Sequence, residues 1–126
     1  MSVPSDLKYT ASHEWVRIDG DIATIGITDH AQSELGDIVF VDLPSPGRQV
    51  ANEESFGTVE SVKTVSDLYA PVGGEVLEVN EVLGAQSELV NSDPYESGWL
   101  VKIKMSDPAD AEKLLSAEGY AESINH

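Results

Sequence analysis

No cysteine occurs in the 126 residues, so the chain can form no disulfide, no thiolate metal site and no cysteine nucleophile. That is compatible with a reducing compartment. Basic residues are also scarce. Seven Lys and Arg stand against 23 Asp and Glu, a formal net charge of −16. Such a surface repels phosphate backbones and anionic lipid, so neither nucleic acid nor a membrane is an expected partner. It suits fast, weak docking to proteins with basic collars, although acidity for solubility alone is the plain alternative. Long apolar runs are absent too. The longest is Ile38–Val41, too short to span a bilayer. The opening MSVPSDLKY has no basic region, apolar region or Arg-rich transit character, which predicts a soluble, cytoplasmic protein if Met1 is the native start. The length fits one domain, residues 1–126, with one modest core.

What is present is a series of short alternating segments. Trp15–Ile18 and Ile22–Ile27 read as strands around Asp19-Gly20-Asp21. A short helix is expected near 28–35, with Thr28 as N-cap, Asp29 in the positive first turn and Gly36 at its end. Asp37–Leu43 reads as a strand stopped by Pro44-Ser45-Pro46-Gly47, and Glu75–Val79 and Gly98–Met105 as further strands. A C-terminal helix is expected near 108–118, capped by Asp107, begun by Pro108, striped by Ala111, Leu114 and Leu115, and ended by Gly119. The rhythm of Val39–Val50 returns around Val59–Val76. Many short strands with Gly and Pro turns predict a mainly β fold, a sandwich or barrel of two small antiparallel sheets.

One stretch, Phe56 to Pro71, mirrors itself about the Lys63–Thr64 bond. Val62 answers Val65, Ser61 answers Ser66, Glu60 answers Asp67 and Val59 answers Leu68. Residues opposite each other in antiparallel strands share environments, so the mirror predicts a hairpin with Lys63 at its tip. Lys-Thr is not a favoured two-residue hairpin turn, but a type I turn accepts it. The mirror sets two acids, Glu60 and Asp67, face to face, an arrangement better suited to recognition than to stability. An ordinary solvated hairpin with chance symmetry is the competing interpretation.

Other candidate chemistry is thin. His13 beside Glu14 and Asp29 beside His30 invite an acid–base or metal reading. Neighbours on a strand point to opposite faces, which favours structural or capping roles, and His126 is terminal. Trp15 and Trp99 read as core aromatics. Lys63 as a Schiff-base catalyst would need an apolar pocket, and an exposed acidic hairpin is the opposite environment.

Six blocks carry a resemblance: SHEW at 12–15, GITDHAQ at 26–32, LGDIVFVDLP at 35–44, VESVK at 59–63, APVGGEV at 70–76 and NSDPYESGW at 91–99. In this order, from about Leu7 to Leu115, the chain resembles the H proteins of the glycine cleavage system. Biotin carriers, with lysine between methionines, and lipoyl domains of 2-oxo acid dehydrogenases, with Asp before the lysine, match less well.

The resemblance implies a lipoyl-domain-like barrel-sandwich hybrid with helices added, no catalytic machinery, and lipoate on Lys63. It implies a carrier that takes an aminomethyl group from a pyridoxal-phosphate glycine decarboxylase to a tetrahydrofolate-dependent aminomethyltransferase. A flavin-dependent dihydrolipoyl dehydrogenase then reoxidises the arm. It further implies that Glu60, Asp67, Gly74 and Gly47 help a lipoate-attaching enzyme recognise the hairpin, with tight-turn roles for the two glycines as the alternative. Ser12, Glu14 and Asp67 match positions of a cleft that holds the loaded arm. Position 34, a histidine in some relatives, is Glu34 here. A carrier that visits several enzymes is expected to be a monomer. A lipoyl relay, passing lipoyl groups to other carriers, and an unmodified binding module remain as alternatives.

Overall fold

The computed structural model describes residues 3–124; Met1 and His126, both weighed above, lie outside them. Nine strands are described: β1 (Lys8–Tyr9), β2 (Glu14–Asp19), β3 (Ile22–Ile27), β4 (Ile38–Asp42), β5 (Gln49–Val50), β6 (Ser55–Ser61), β7 (Val65–Tyr69), β8 (Gly74–Val79) and β9 (Val101–Met105). They form a six-stranded sheet, β1-β2-β3-β9-β8-β5, and a three-stranded sheet, β4-β6-β7, with every pairing antiparallel. This is the expected mainly β two-sheet architecture, with sheets of unequal size that do not close into a barrel. The last strand, β9, inserts between β3 and β8, so the two halves of the chain share one sheet. The repeated rhythm in the sequence corresponds to β4–β5 and β7–β8, and β5 pairs with β8 through Val50 opposite Gly74.

The alternation predicted from sequence fills one core between the sheets. Val16, Ile25, Val76 and Ile103 enter it from the larger sheet, and Phe56, Val59 and Leu68 from the smaller. Burying a side chain of this kind contributes about 1.5–3 kcal/mol. A second cluster holds Leu7, Tyr9, Trp15 and Tyr120. Trp15 is fully buried, its indole N–H donating to the Pro94 carbonyl at 2.9 Å. Gly26, opposite Trp15 in the ladder, leaves room for it: a Cβ there would stand 2.6 Å from the indole. Trp99 is only half-buried, packing at the edge of this cluster with Lys102 Nζ 5.2 Å from its ring centre.

Helix α1 (Asp29–Leu35) follows its sequence signals. Thr28 Oγ1 accepts the Ala31 N–H at 3.1 Å, and Gly36 closes the helix by donating to the Gln32 carbonyl at 3.0 Å. A cap of this kind is worth about 1 kcal/mol. A second short helix, α2, spans Leu89–Ser92.

The single C-terminal helix expected near 108–118 is instead two pieces. A 3-10 helix runs Pro108–Lys113, with Asp107 accepting from the Ala109 N–H, and α3 runs Ala117–Ile124. The break has a clear cause. Leu115 and Tyr9 exchange both backbone hydrogen bonds, at 2.9 and 2.7 Å, and this bridge to the β1 edge requires extended backbone. Ser116 then caps α3 by accepting the Gly119 N–H at 3.1 Å, so Gly119 lies inside the helix and does not end one. Tyr120 anchors α3 by stacking on Tyr9, with ring centres 4.8 Å apart.

Candidate functional site: a lysine-tipped hairpin and the cleft beside it

β6 and β7 form the predicted hairpin, but in a different register. Glu60 stands opposite Val65, Val59 opposite Ser66, and Thr58 opposite Asp67. The turn is centred on Val62-Lys63 and not on Lys63-Thr64. Ser61 decides this. Its N–H donates to the Thr64 carbonyl at 2.8 Å, and its Oγ accepts the N–H groups of Lys63 at 3.3 Å and Thr64 at 3.1 Å. Each partner moves by two residues relative to the mirror, so every side chain keeps its face. The acids Glu60 and Asp67 are therefore diagonal neighbours on the outer face and not a facing pair.

The tip is held against the rest of the fold. Val62 N–H donates to the Asp37 carbonyl at 3.0 Å, just beyond the end of α1. Lys63 is exposed and takes part in no ion pair among the described residues. Its stem lies over Gly36, where an added Cβ would be 3.6 Å from Lys63 Cε.

A cleft of about 350 Å³ lies between the β1–β2 connection, α1 and β7, and its lining includes Leu35, next to the Gly36 over which the Lys63 stem lies. Ser12 with Glu14, Glu34, and Asp67, from three separate parts of the chain, all line it. Glu14 is only 1% exposed. Its Oε1 accepts from Ser12 Oγ at 2.5 Å and Thr10 Oγ1 at 2.7 Å, and its Oε2 accepts the Tyr69 N–H at 3.4 Å. Burial pushes the Glu14 carboxyl above its ordinary range, and the hydrogen bonds from Ser12 and Thr10 oppose that rise. No ion pair among the described residues reaches Glu14. Glu34 is exposed at the cleft wall, 3.9 Å from His30 Nε2.

Thr10 had no place among the residues nominated from sequence, and His13 and His30, nominated and then set aside as structural or capping residues, both reach the cleft. Thr10 carries no motif, and its role depends on a turn that brings it back to Glu14. His13 is not on the strand: its φ is 72°, so the alternating-face argument used to separate it from neighbouring groups does not apply. Its ring lies 4.8 Å from that of His30, and both line the cleft. His13 Nδ1 lies 2.8 Å from Tyr120 Oη, which is 2.7 Å from the Thr28 hydroxyl. Burial first, and His30 second, lower the His13 pKa below its ordinary 6.5. Among the described residues no group of three or more His, Asp or Glu is arranged to hold a metal ion.

The two glycines lie away from the hairpin. Gly47 is exposed in the turn after Pro46, its N–H donating to the Val76 carbonyl at 2.7 Å. Gly74 is buried in β8 with φ 156°, and a Cβ there would fall 1.9 Å from the Lys104 carbonyl oxygen. That close approach gives a packing reason for glycine at 74.

Residues 7–126 match the family described as Glycine cleavage H-protein. The chain belongs to this family. It is 56% identical over 125 residues to the glycine cleavage system H protein of Bacteroides thetaiotaomicron, covering 99% of each chain. It is 58% identical over 125 residues to that of Bacillus cereus strain AH187, covering 99% of this chain and 98% of the relative. The crystal structure of a glycine cleavage system H protein from Mycobacterium marinum superposes with a TM-score of 0.91 at 42% identity, covering 98% of this chain and all of that one. H proteins are non-catalytic carrier components of glycine cleavage. The family carries lipoate, which needs an accessible primary amine and room beside it for an arm. Lys63 and the adjoining cleft fit both requirements. No helix among the described residues is long and apolar enough to cross a membrane.

Proposed function

We propose that Lys63 bears a lipoyl group in amide linkage. In this reading the protein shuttles the aminomethyl group of glycine from glycine decarboxylase to aminomethyltransferase, and dihydrolipoyl dehydrogenase restores the arm. A lipoyl group so attached supplies a disulfide whose sulfur accepts the aminomethyl unit. The chain's own residues do the rest. The hairpin presents the Lys63 stem in one orientation, pinned by Ser61 and by the Val62–Asp37 contact. The tether keeps the cargo at high effective concentration as it moves between enzymes. Ser12, Glu14, Glu34 and Asp67 form the wall beside which a loaded arm rests, sheltered from water.

The observation that carries this reading is the Glu14 carboxylate, buried at the cleft with hydroxyl donors and no cation paired to it among the described residues. The aminomethyl group is an ammonium at neutral pH, and a desolvated carboxylate with orienting hydrogen bonds is a strong partner for one. Glycine decarboxylase assayed with the lipoylated protein and labelled glycine tests this. Wild-type protein should become loaded, Lys63→Arg should not, and Glu14→Gln should load but lose its cargo to hydrolysis faster. A lipoylated wild-type protein that the decarboxylase does not load would contradict the proposal and favour a lipoyl relay.

A further inference from the structure

β4 breaks the alternation that a half-buried strand should keep. A bulge between Ile38 and Phe40 turns two consecutive apolar side chains outward, Val39 at 51% and Phe40 at 54% exposure. Bulges that re-aim side chains are concentrated at functional edges, and paired exposed apolar residues are costly without a partner. The ladder shows what Phe40 joins. Phe40 pairs with Glu60, and Glu60 pairs with Val65, which is 60% exposed. Phe40, Glu60 and Val65 thus form one outward row across the small sheet, about 10 Å from end to end. This row lies one pair below the Lys63 turn, and Val62 in the turn is itself 69% exposed. The three strands carry Asp42, Glu60 and Asp67 and no Lys or Arg.

We infer that the Phe40–Glu60–Val65 row, with Val39, is the docking surface for the enzyme that acylates Lys63. This rests on Lys63 being the lipoyl site. The choice of occupant follows from reach. An enzyme that acts on Lys63 Nζ itself must bring its active site within one lysine side chain of the turn, and so covers the row directly beneath. Enzymes that act on the far end of a lipoyl arm stand off by the arm's length. The partner surface this row fits has an apolar depression for Phe40 and a basic rim facing Glu60, Asp42 and Asp67. In the transfer, Nζ forms an amide bond to the acyl carbon of an activated lipoate. The bond to the adenylate leaving group breaks with its electron pair, and the amine releases a proton to solvent.

The test uses the full-length unmodified protein with a purified lipoate-attaching enzyme, lipoate and ATP. Phe40→Thr keeps β-propensity and removes the ring; its kcat/KM for acylation should fall about tenfold or more. Phe40→Leu should recover much of this loss, and Val65→Thr should add to it. Thermal unfolding of each variant should match wild type, and dihydrolipoyl dehydrogenase should act equally on protein forced to full lipoylation. Unchanged acylation of Phe40→Thr and Val65→Thr, with wild type modified at Lys63, overturns the docking surface alone. Acylation unchanged while loading by glycine decarboxylase falls also overturns it, by assigning the row to a different enzyme. A wild-type protein that is not acylated at Lys63 overturns both this inference and the carrier reading.

Discussion

The hydroxyl of Ser12 donates to the carboxylate of Glu14 at 2.5 Å, inside a cleft where Glu14 is almost wholly withdrawn from water. Thr10 donates to the same oxygen at 2.7 Å. Two hydroxyls converging on one carboxylate oxygen orient it without neutralising it. The arrangement suits a site whose counter-charge arrives with its cargo.

Glu14 should therefore leave a mark on the pH dependence of stability. Burial raises its carboxyl above the ordinary 4.5. Between 4.5 and the raised value, the folded state holds a proton that the unfolded chain has released. Stability from this group accordingly falls as pH rises across that window. Glu14→Gln removes the effect, so the wild-type Tm should decline relative to the variant's as pH rises from 4.5. A constant difference between the two melting curves would contradict this.

His13 should behave in the opposite sense. Its pKa is depressed by burial and by His30, so the unfolded chain binds the proton first as pH falls below 6.5. Stability is lost as pH falls from 6.5 toward the folded value. An NMR titration of the ring should give a midpoint under 6.5 that moves upward in His30→Asn. A midpoint at or above 6.5 in wild type would refute the buried setting of His13 beside His30.

Much of this site was legible in the sequence, for identifiable reasons. Thr28, Asp29 and Gly36 mark α1 because caps and first-turn acids act locally. The mirrored run around Lys63 located the hairpin because the inward and outward alternation on both strands survives a two-residue shift in register. Its register was not legible, because the Ser61 side chain, and not strand symmetry, sets the turn. The C-terminal helix was misread for a similar reason: the Leu115–Tyr9 bridge is a long-range contact that overrides local propensity. Ser12, Glu14, Glu34 and Asp67 were nominated by family resemblance, and only the folded chain brings them to one cleft. The His13–His30 ring contact depends on a positive φ at His13 that nothing nearby signals.

Gly74 and Gly47 should separate packing from recognition. Gly74→Ala drives a Cβ into the Lys104 carbonyl and should cost about 2 kcal/mol or more. Gly47→Ala meets nothing within 4 Å and carries only the strain of φ +95°, about 1 kcal/mol. Urea unfolding midpoints check both. Equal costs would mean that Gly74 is not held by close backbone packing.

Ser61→Ala removes the acceptor for the Lys63 and Thr64 N–H groups from a buried position. It should cost about 1 kcal/mol and slow acylation of Lys63, with Ser61→Thr restoring part of both. Denaturant titration and an acylation time course measure the two effects. Wild-type rates in Ser61→Ala would show that the turn needs no such pin.

Whether Lys63 carries the lipoyl group is decided by an intact mass of the protein from lipoate-supplied cells, followed by peptide mapping. One lipoyl group is expected on the peptide containing Lys63, and none on Lys63→Arg. An unmodified mass, in cells that lipoylate their other carrier proteins, would contradict it.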